Sequence, residues 1–248
     1  MDNEFLSGKK GKRDITLADF LEDLKGVCVD ENKKWAKTIG IEQSAAITCV
    51  KPSGTVSQLV DSASGIHPRY SEYYIRTVRA DKKDPLAMFM EAYGFPVEDD
   101  VTKPDNNDVF SFPVHAPKNS VMRNDMNAIE QLELWKIYAT HWCEHKPSIT
   151  VYVREDEWLE VGAWVYKNFD YMSGVSFLPH TNHSYRQAPY QEIDKKQYNE
   201  LVKQMPHDVD WDMLKQYESE DNTAGSQTMA CAAGACEIVD LTSDAGLV

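Results

Sequence analysis

The sequence predicts an α/β fold, and two observations lead to that prediction. Short β-branched and aromatic segments alternate with amphipathic segments of helical length, which is the pattern of βαβ units around a parallel or mixed sheet. Hydrophobic residues make up 42% and charged residues 27%, as in ordinary globular proteins. We predict a folded region over residues 15–217. It lies between a polar, disordered segment 1–14 and a flexible Gly/Ala/Ser-rich tail 218–248.

Helices are predicted where apolar residues recur every three or four positions. In chain order these segments are 16–27, 31–38, 85–93, 127–145, 155–167 and 195–205. The clearest is 127–145, where Leu132 and Trp135 belong to the apolar face. Asn127 and Glu130 have the spacing of a capping box, and Pro147 forbids continuation of the helix.

Strands are predicted for shorter runs. These are 45–50, 73–79, 109–114, 148–153 and 175–178, with a polar loop over 98–108. Segment 73–79 alternates aromatic or β-branched residues with polar ones. Segment 45–50 is apolar and of strand length, and segment 175–178 is expected to be a buried strand.

Charge and composition exclude several classes of protein. The net charge of −14 argues against direct nucleic-acid binding, which needs clustered Lys and Arg. No apolar run approaches the ~18 residues that a membrane helix requires. The N-terminus lacks the pattern of a secretory signal, so we expect a cytoplasmic protein. Cys28, Cys49 and Cys143 are then expected to be reduced thiols.

A candidate anion-binding turn follows the first predicted strand. It comprises Pro52, Ser53, Gly54, Thr55, Val56 and Ser57. Free backbone N–H groups and hydroxyl donors in such a turn bind phosphate, and a glycine lets the ligand approach the backbone. The spacing differs from the Walker pattern. An ordinary capped turn is the alternative interpretation.

Two cysteines lie close together near the end of the chain. Cys231 and Cys236 are separated by Ala-Ala-Gly-Ala, and small residues let such a segment bend and reach. Two linked thiols reduce a distant disulfide by exchange and form a disulfide themselves. A zinc site would need two further ligands nearby. Inert tail cysteines remain the alternative.

Histidines suggest two weaker hypotheses. His141 and His145 match the H-x-x-E-H pattern of one zinc-peptidase class, and a zinc-dependent hydrolase is therefore an alternative function. A packed helix is the competing interpretation. Farther along, the loop after strand 175–178 carries His180 and His183 as candidates for substrate contact, or as solvated surface residues.

Several long blocks occur in an order that resembles one enzyme family. They are ITCVKPSGTVSQL (47–59), DSASGIHPR (61–69), YIRTVR (74–79), WCEHKPS (142–148), DEWLEVGA (156–163) and RQAPY (186–190). Together with the two-cysteine tail they resemble the monomeric, cobalamin-dependent (class II) ribonucleotide reductases that reduce nucleoside triphosphates. The resemblance runs from about residue 15 to residue 240.

The resemblance implies the C-terminal part of the ten-stranded α/β barrel of these reductases, with a flexible cysteine-bearing tail. It implies conversion of ribonucleoside triphosphates to 2′-deoxyribonucleoside triphosphates by thiyl-radical chemistry, with adenosylcobalamin as cofactor and no zinc. Residues 52–57 would bind the substrate phosphates, and Cys231 with Cys236 would re-reduce the active site at the expense of thioredoxin or a similar dithiol. Phe177, Leu178 and Pro179 would form part of the active-site wall.

The resemblance covers only part of the family's chain. The radical-bearing cysteine and the pair that reduces the substrate lie in upstream motifs that this sequence lacks, and its three isolated cysteines do not replace them. We therefore expect a partner fragment that carries the N-terminal motifs, and no activity from this chain alone. A natural split subunit, a truncated protein and a gene fragment all fit. A non-catalytic accessory fragment that completes a partner's barrel is a further alternative.

Overall fold

A computed structural model describes residues 15–53, 56–180 and 186–218. Contacts divide the chain into two compact units, of which the first comprises residues 1–71 and 116–182 and the second the remainder. Among the described residues, no helix is both long enough and apolar enough to cross a membrane. Each unit is considered by itself below.

The helices are α1 (Leu17–Ile39), α2 (Val56–Leu59), α3 (Pro85–Ala92), α4 (Ala128–His141), α5 (Trp158–Lys167) and α6 (Lys195–Gln204). The strands are β1 (Tyr73–Asp81), β2 (Val97–Asp99), β3 (Asn107–His115), β4 (Ser148–Val153), β5 (Gly174–Pro179) and β6 (Tyr190–Glu192). Short 3₁₀ turns occupy Arg123–Asp125, Phe169–Tyr171 and Trp211–Gln216. Most predicted helices and strands are confirmed, with boundaries shifted by a few residues.

Helix α1 replaces the two helices predicted over 16–27 and 31–38. Thr16 and Asp19 form a capping box at its start, and Gly40 ends it with φ of 73°. The break predicted between the two segments is wrong, because the connecting residues include no proline. The nearest glycine, Gly26, weakens a helix interior by only about 1 kcal/mol.

Helix α4 has the predicted capping box between Asn127 and Glu130 but ends at His141, four residues before the predicted end. The chain leaves the helix because the backbone N–H of Glu144 donates to the carbonyl of Thr48, at 2.8 Å. Pro147 is therefore not the residue that ends the helix. Its carbonyl instead accepts a hydrogen bond from the buried indole of Trp135, at 3.1 Å.

The first unit contains a parallel strand pair. Strands β4 and β5 pair from Ser148↔Gly174 to Val153↔Pro179, and helix α5 supplies the crossover that a parallel pair needs. The buried core packs α1, α4 and α5 against β4. Its members are Leu17, Leu21, Ile66, Ala128, Leu132, Leu134, Trp135, Ile149, Val151, Val153, Val161 and Trp164.

Two strand predictions in this unit are wrong in part. Residues 45–50 are not in a strand, because side-chain and backbone groups of residues 142–146 take up their hydrogen bonds. Strand β5 is only half-buried, and Ser176 and Pro179 in it are exposed. Within the described chain β5 pairs with β4 alone, so its other edge has no strand partner there.

The second unit contains a four-stranded antiparallel sheet in the order β2-β3-β1-β6. The expectation of parallel or mixed sheets is therefore wrong for this unit, although the strands over 73–79 and 109–114 are confirmed. The predicted loop 98–108 overlaps β2 and the start of β3. A second core lies here, formed by Ala87, Phe89, Met90, Phe95 and Phe110.

Candidate functional site

The candidate phosphate turn is held together by two serines on its inner side. The hydroxyl of Ser53 accepts a hydrogen bond from the backbone N–H of Ser57 at 2.9 Å, and the hydroxyl of Ser57 donates to the carbonyl of Ser53 at 2.6 Å. Ser57 is buried, whereas Pro52 and Val56 are exposed. Gly54 and Thr55, also assigned to this turn, lie outside the described residues. The two serines thus join the described ends of the turn to each other.

A second turn, which contains Ser64 and Gly65, contacts the candidate phosphate turn. The hydroxyl of Ser64 accepts a hydrogen bond from the backbone N–H of Ser53, at 2.8 Å. Gly65 follows with φ of 59°, and a Cβ at this position would lie 3.0 Å from the carbonyl oxygen of Lys51. Both the positive φ and the close approach require glycine. The sequence block 61–69 therefore has a structural reason to accompany the candidate phosphate turn.

His67 connects these turns to strand β4. Its Nδ1 lies 2.6 Å from the carbonyl oxygen of Ser64, and its Nε2 lies 2.9 Å from the backbone N–H of Thr150. An N–H donor faces Nε2, so we assign the neutral tautomer with its proton on Nδ1. Burial lowers the pKa of His67, more strongly than the Ser64 contact raises it. The sequence did not single out this residue, although it lies in a block that carries the resemblance.

Arg69 is the first arginine or lysine after the turn in sequence. Its guanidinium forms hydrogen bonds with neighbouring groups of the protein. It is buried, and its guanidinium donates to the carbonyl of Ser62 at 2.6 Å and to the carboxylate of Asp61 at 2.7 Å. Asp61 has φ of 49°, which belongs to the left-handed region. Arg69 therefore stabilises the strained turn that follows α2. Lys51, which directly precedes the turn, is exposed.

The three residues assigned to an active-site wall lie on β5. Phe177 packs against the core of the first unit, opposite Val151 of β4. Leu178 has the opposite orientation, since successive side chains of a strand alternate between faces. His180 follows, with its backbone N–H donating to Val153 and its Nε2 3.1 Å from the side-chain oxygen of Asn124.

His180 is thus engaged with its own unit. Burial lowers its pKa, and the charges of Arg123 and Arg154 lower it further. His183, the other histidine of this loop, lies outside the described residues. Whether the face of Leu178 contacts substrate stays a prediction from the resemblance.

The two histidines of the H-x-x-E-H pattern do not share a helix face. His141 is the last residue of α4, and its Nδ1 lies 2.5 Å from the carboxylate of Glu22. His145 follows four residues beyond the helix end. The intervening Glu144 accepts hydrogen bonds from the backbone N–H groups of Ile47 and Thr48. Within the described ranges, no group of three or more His, Cys, Asp and Glu side chains is arranged to hold a metal ion.

The tail cysteines Cys231 and Cys236 lie outside the described residues. The other three cysteines are free thiols and partly buried. Burial raises the pKa of Cys143 to about 11, which argues against a thiolate at this position near neutral pH.

The fold matches a solved structure of the same class of enzyme that the sequence blocks indicate. That structure is a B-12 dependent (class II) ribonucleotide reductase, with a TM-score of 0.69 and 27% identity over 85% of this chain and 29% of the other. The mixed α/β architecture is therefore that of part of a class II ribonucleotide reductase. No protein-family model matches the chain.

Curated relatives agree on the particular enzyme. A probable adenosylcobalamin-dependent ribonucleoside-triphosphate reductase of Dictyostelium discoideum is 31% identical over 238 residues, which are 90% of this chain and 30% of the relative. The enzyme of Lactobacillus leichmannii is 29% identical over 92% of this chain and 31% of its own length. That of Euglena gracilis is 33% identical over 68% of this chain and 24% of its own length.

The chain is homologous to adenosylcobalamin-dependent ribonucleoside-triphosphate reductases over about 90% of its length, as the sequence blocks predict. It spans about 30% of the length of these relatives. The zinc-hydrolase alternative is not favoured, because the pattern on which it depended is divided between a helix end and a loop.

Proposed function

We propose that this chain supplies the substrate-phosphate loop and the regenerating thiol pair of a reductase that converts ribonucleoside triphosphates to 2′-deoxyribonucleoside triphosphates. The observation that carries the proposal is the braced turn at residues 52–57, in a chain homologous to such reductases over most of its length. Its two serines are joined by hydrogen bonds to each other, and we propose that the ligand binds on the side of the turn away from these bonds.

In this proposal the phosphates bind to the outer side of the turn. Backbone N–H groups and the hydroxyl of Thr55 would donate to them, and Gly54 would allow the close approach. Lys51 is exposed beside the turn and would add positive charge. Helix α2 has only four residues, so its dipole contributes little. The local donors must therefore carry the binding, because the net charge of −14 repels a triphosphate.

An NMR titration with inorganic tripolyphosphate tests the loop on the full chain. We expect amide shifts confined to residues near 51–57, with an affinity about tenfold weaker in Thr55→Val, since a hydrogen bond to a charged group contributes ~1.5 kcal/mol. Thr38→Val is the matched control, because Thr38 is exposed at the end of α1 and donates only to its own helix. Absence of loop shifts at millimolar ligand, or equal affinity of Thr55→Val, would refute the assignment.

The thiol pair would act by disulfide exchange. Each turnover leaves a disulfide in the active site. Cys231 and Cys236 would transfer two electrons and two protons to it and become a disulfide themselves. Thioredoxin or a similar dithiol would then reduce the pair. The supports for this step are the spacing of the two cysteines and the small residues between them.

Serine variants distinguish working thiols from idle ones in the assembled enzyme. Cys231→Ser and Cys236→Ser should abolish turnover supported by thioredoxin, whereas a small dithiol that diffuses into the site should restore part of it. Cys28→Ser is the control and should leave both activities unchanged, since Cys28 lies within α1. Full thioredoxin-supported activity without the tail thiols would favour the non-catalytic accessory alternative.

Adenosylcobalamin is the cofactor named for the relatives, and it would supply the radical. We assign it no contacts among the described residues. The depression that Glu22, Lys25 and His141 help to line is open, and its lining includes both polar and apolar atoms. The radical-bearing cysteine is likewise assigned to a polypeptide with the motifs this sequence lacks. We therefore propose that residues 1–248 are inactive by themselves.

A further inference from the structure

Two distant segments of the first unit are joined side by side. The backbone N–H of Glu144 donates to the carbonyl of Thr48 at 2.8 Å, and the indole N–H of Trp142 donates to the carbonyl of Cys49 at 3.2 Å. The carboxylate of Glu144 accepts from the backbone N–H groups of Ile47 and Thr48, at 2.6 and 3.0 Å. Residues 47–50 and 142–146 are therefore held in a fixed register.

This register brings two thiols together. The side chain of Cys49 and the backbone of Val50 lie near enough to Cys143 to influence its pKa. The sulfur of Cys49 lies 3.7 Å from the carbonyl oxygen of His145 and 3.9 Å from that of Lys146. Both cysteines are free and partly buried. A disulfide between these neighbouring thiols would need their side chains to rotate toward each other on the frame that the two segments provide.

We propose that Cys49 and Cys143 are a second redox-active pair, which closes to a disulfide when the protein meets a peroxide. The peroxide oxidises one thiol to a sulfenic acid, with release of one water. The second thiol then displaces the hydroxyl group, forming the S–S bond and releasing another water. Two electrons pass from the thiols to the peroxide, and a dithiol reverses the reaction.

Burial raises the pKa of Cys143 to about 11, and this indicates which of the two thiols reacts first with peroxide. A protonated thiol reacts slowly with peroxide, so Cys49 is oxidised first and Cys143 is the resolving thiol. Closure should therefore accelerate as pH rises above neutrality, because the thiolate fraction of Cys143 increases.

A disulfide between Cys49 and Cys143 would restrain the segment that leads into the candidate phosphate turn. Cys49 precedes Pro52 by three residues, and Cys143 lies just beyond the end of α4. The bond would link positions far apart in sequence and restrict the unfolded chain. We expect the midpoint of thermal unfolding to rise by roughly 5 °C or more. This inference does not depend on the proposed reductase function, because it needs only the two segments and a peroxide.

Peptide mapping of the full chain tests the proposal. A Cys231→Ser/Cys236→Ser background removes the tail pair. The reduced protein is treated with hydrogen peroxide, and the remaining thiols are alkylated before digestion without reductant. We expect one cross-linked species that joins the peptides of Cys49 and Cys143, has lost two hydrogen atoms and disappears after dithiothreitol. Cys28 should be recovered alkylated or singly oxidised.

Two variants identify the order of reaction. In Cys143→Ser, dimedone should label Cys49 as a sulfenic acid, and in Cys49→Ser no cross-link should form. Cys28→Ser is the control and should retain the cross-link. The proposal does not depend on the folding of these variants, since the map of the background protein decides it. Separate alkylation of Cys49 and Cys143 after peroxide, or a cross-link that forms only in urea, would overturn it.

Discussion

The imidazole of His67 bridges the carbonyl of Ser64 and the backbone amide of Thr150, at 2.6 and 2.9 Å. One side chain thus joins the turn behind the candidate phosphate loop to strand β4. Only the neutral imidazole satisfies both partners, because Nε2 must accept while Nδ1 donates. Protonation would place a second donor against the N–H of Thr150.

Stability should therefore depend on pH through His67. Its pKa is lowered by burial, so the unfolded chain takes up a proton first, at about pH 6.5. The contribution is fully present above that pH and is lost as pH falls toward the folded-state pKa. Urea unfolding at pH 7.5 and 5.5 should show a smaller pH-dependent loss in His67→Phe than in the wild type. His207→Gln, at an exposed position, is the control, and equal losses in wild type and His67→Phe would contradict the assignment.

Removing the imidazole should also destabilise the first unit at neutral pH. His67→Phe leaves the buried amide of Thr150 without its acceptor, whereas the carbonyl of Ser64 still accepts from the backbone N–H of residue 67. The expected cost is ~1–3 kcal/mol for the amide that is not rehydrated. Tryptophan fluorescence in urea measures it. A stability loss within about 0.5 kcal/mol would show that the bridge is dispensable.

Glu144 should act as a clamp on residues 47–48. Its pKa is lowered chiefly by hydrogen bonds from the backbone N–H groups of Ile47 and Thr48. The clamp should be intact above the ordinary pKa of a glutamate and weaken as pH falls through the lowered value. Hydrogen exchange at these two amides should accelerate in Glu144→Ala and less so in Glu144→Gln, which keeps an acceptor oxygen. Glu155→Ala, at an exposed position, should leave both amides as protected as in the wild type.

Gln187 should be one of the costliest polar residues to replace in the second unit. It is buried with φ of 59°, and its amide group accepts from the N–H of Val101 at 2.9 Å and donates to Asp99 at 2.7 Å. Gln187→Ala should cost ~2–4 kcal/mol in unfolding free energy. Gln187→Gly should cost about 1 kcal/mol less, since it relieves the positive φ. Gln204→Ala, at an exposed position in α6, should be nearly neutral.

Two glycines should respond to alanine with opposite signs. Gly65→Ala places a Cβ 3.0 Å from the carbonyl oxygen of Lys51 at φ of 59°, and should destabilise by ~1–3 kcal/mol. Gly26→Ala meets nothing within 4 Å inside α1 and should stabilise by about 0.5–1 kcal/mol. Thermal unfolding of both variants gives the comparison. A neutral Gly65→Ala would mean that the turn adapts.

Sequence patterns correctly predicted those helices and strands that are determined by residues close to one another in sequence. The capping box of α4 and the strands over 73–79 and 148–153 depend on neighbouring residues, and the structure confirms them. Segment 45–50 was mistaken for a strand because its hydrogen-bond partner, Glu144, is 97 positions away from Ile47. No periodicity reveals such a contact.

The family resemblance predicted where the candidate site lies in the sequence, but it did not predict the side-chain contacts around that site. The blocks indicated a candidate phosphate turn, which stays a prediction, and they did not show that Arg69 and Gln187 form hydrogen bonds with neighbouring backbone groups. These roles depend on positive-φ turns and on contacts between distant segments. The antiparallel arrangement of the second unit was missed for a similar reason, since alternating segments do not specify which strands pair.

The central claim is that this chain supplies a working part of a ribonucleoside-triphosphate reductase. The direct measurement is formation of deoxynucleotide from a ribonucleoside triphosphate with adenosylcobalamin and reduced thioredoxin. The chain is assayed alone and mixed with a fragment containing the remainder of the Dictyostelium discoideum relative, whose own matching segment is the positive control. We expect no product from the chain alone and product from the mixture. A mixture that assembles as the control does, yet forms no deoxynucleotide, would contradict the claim.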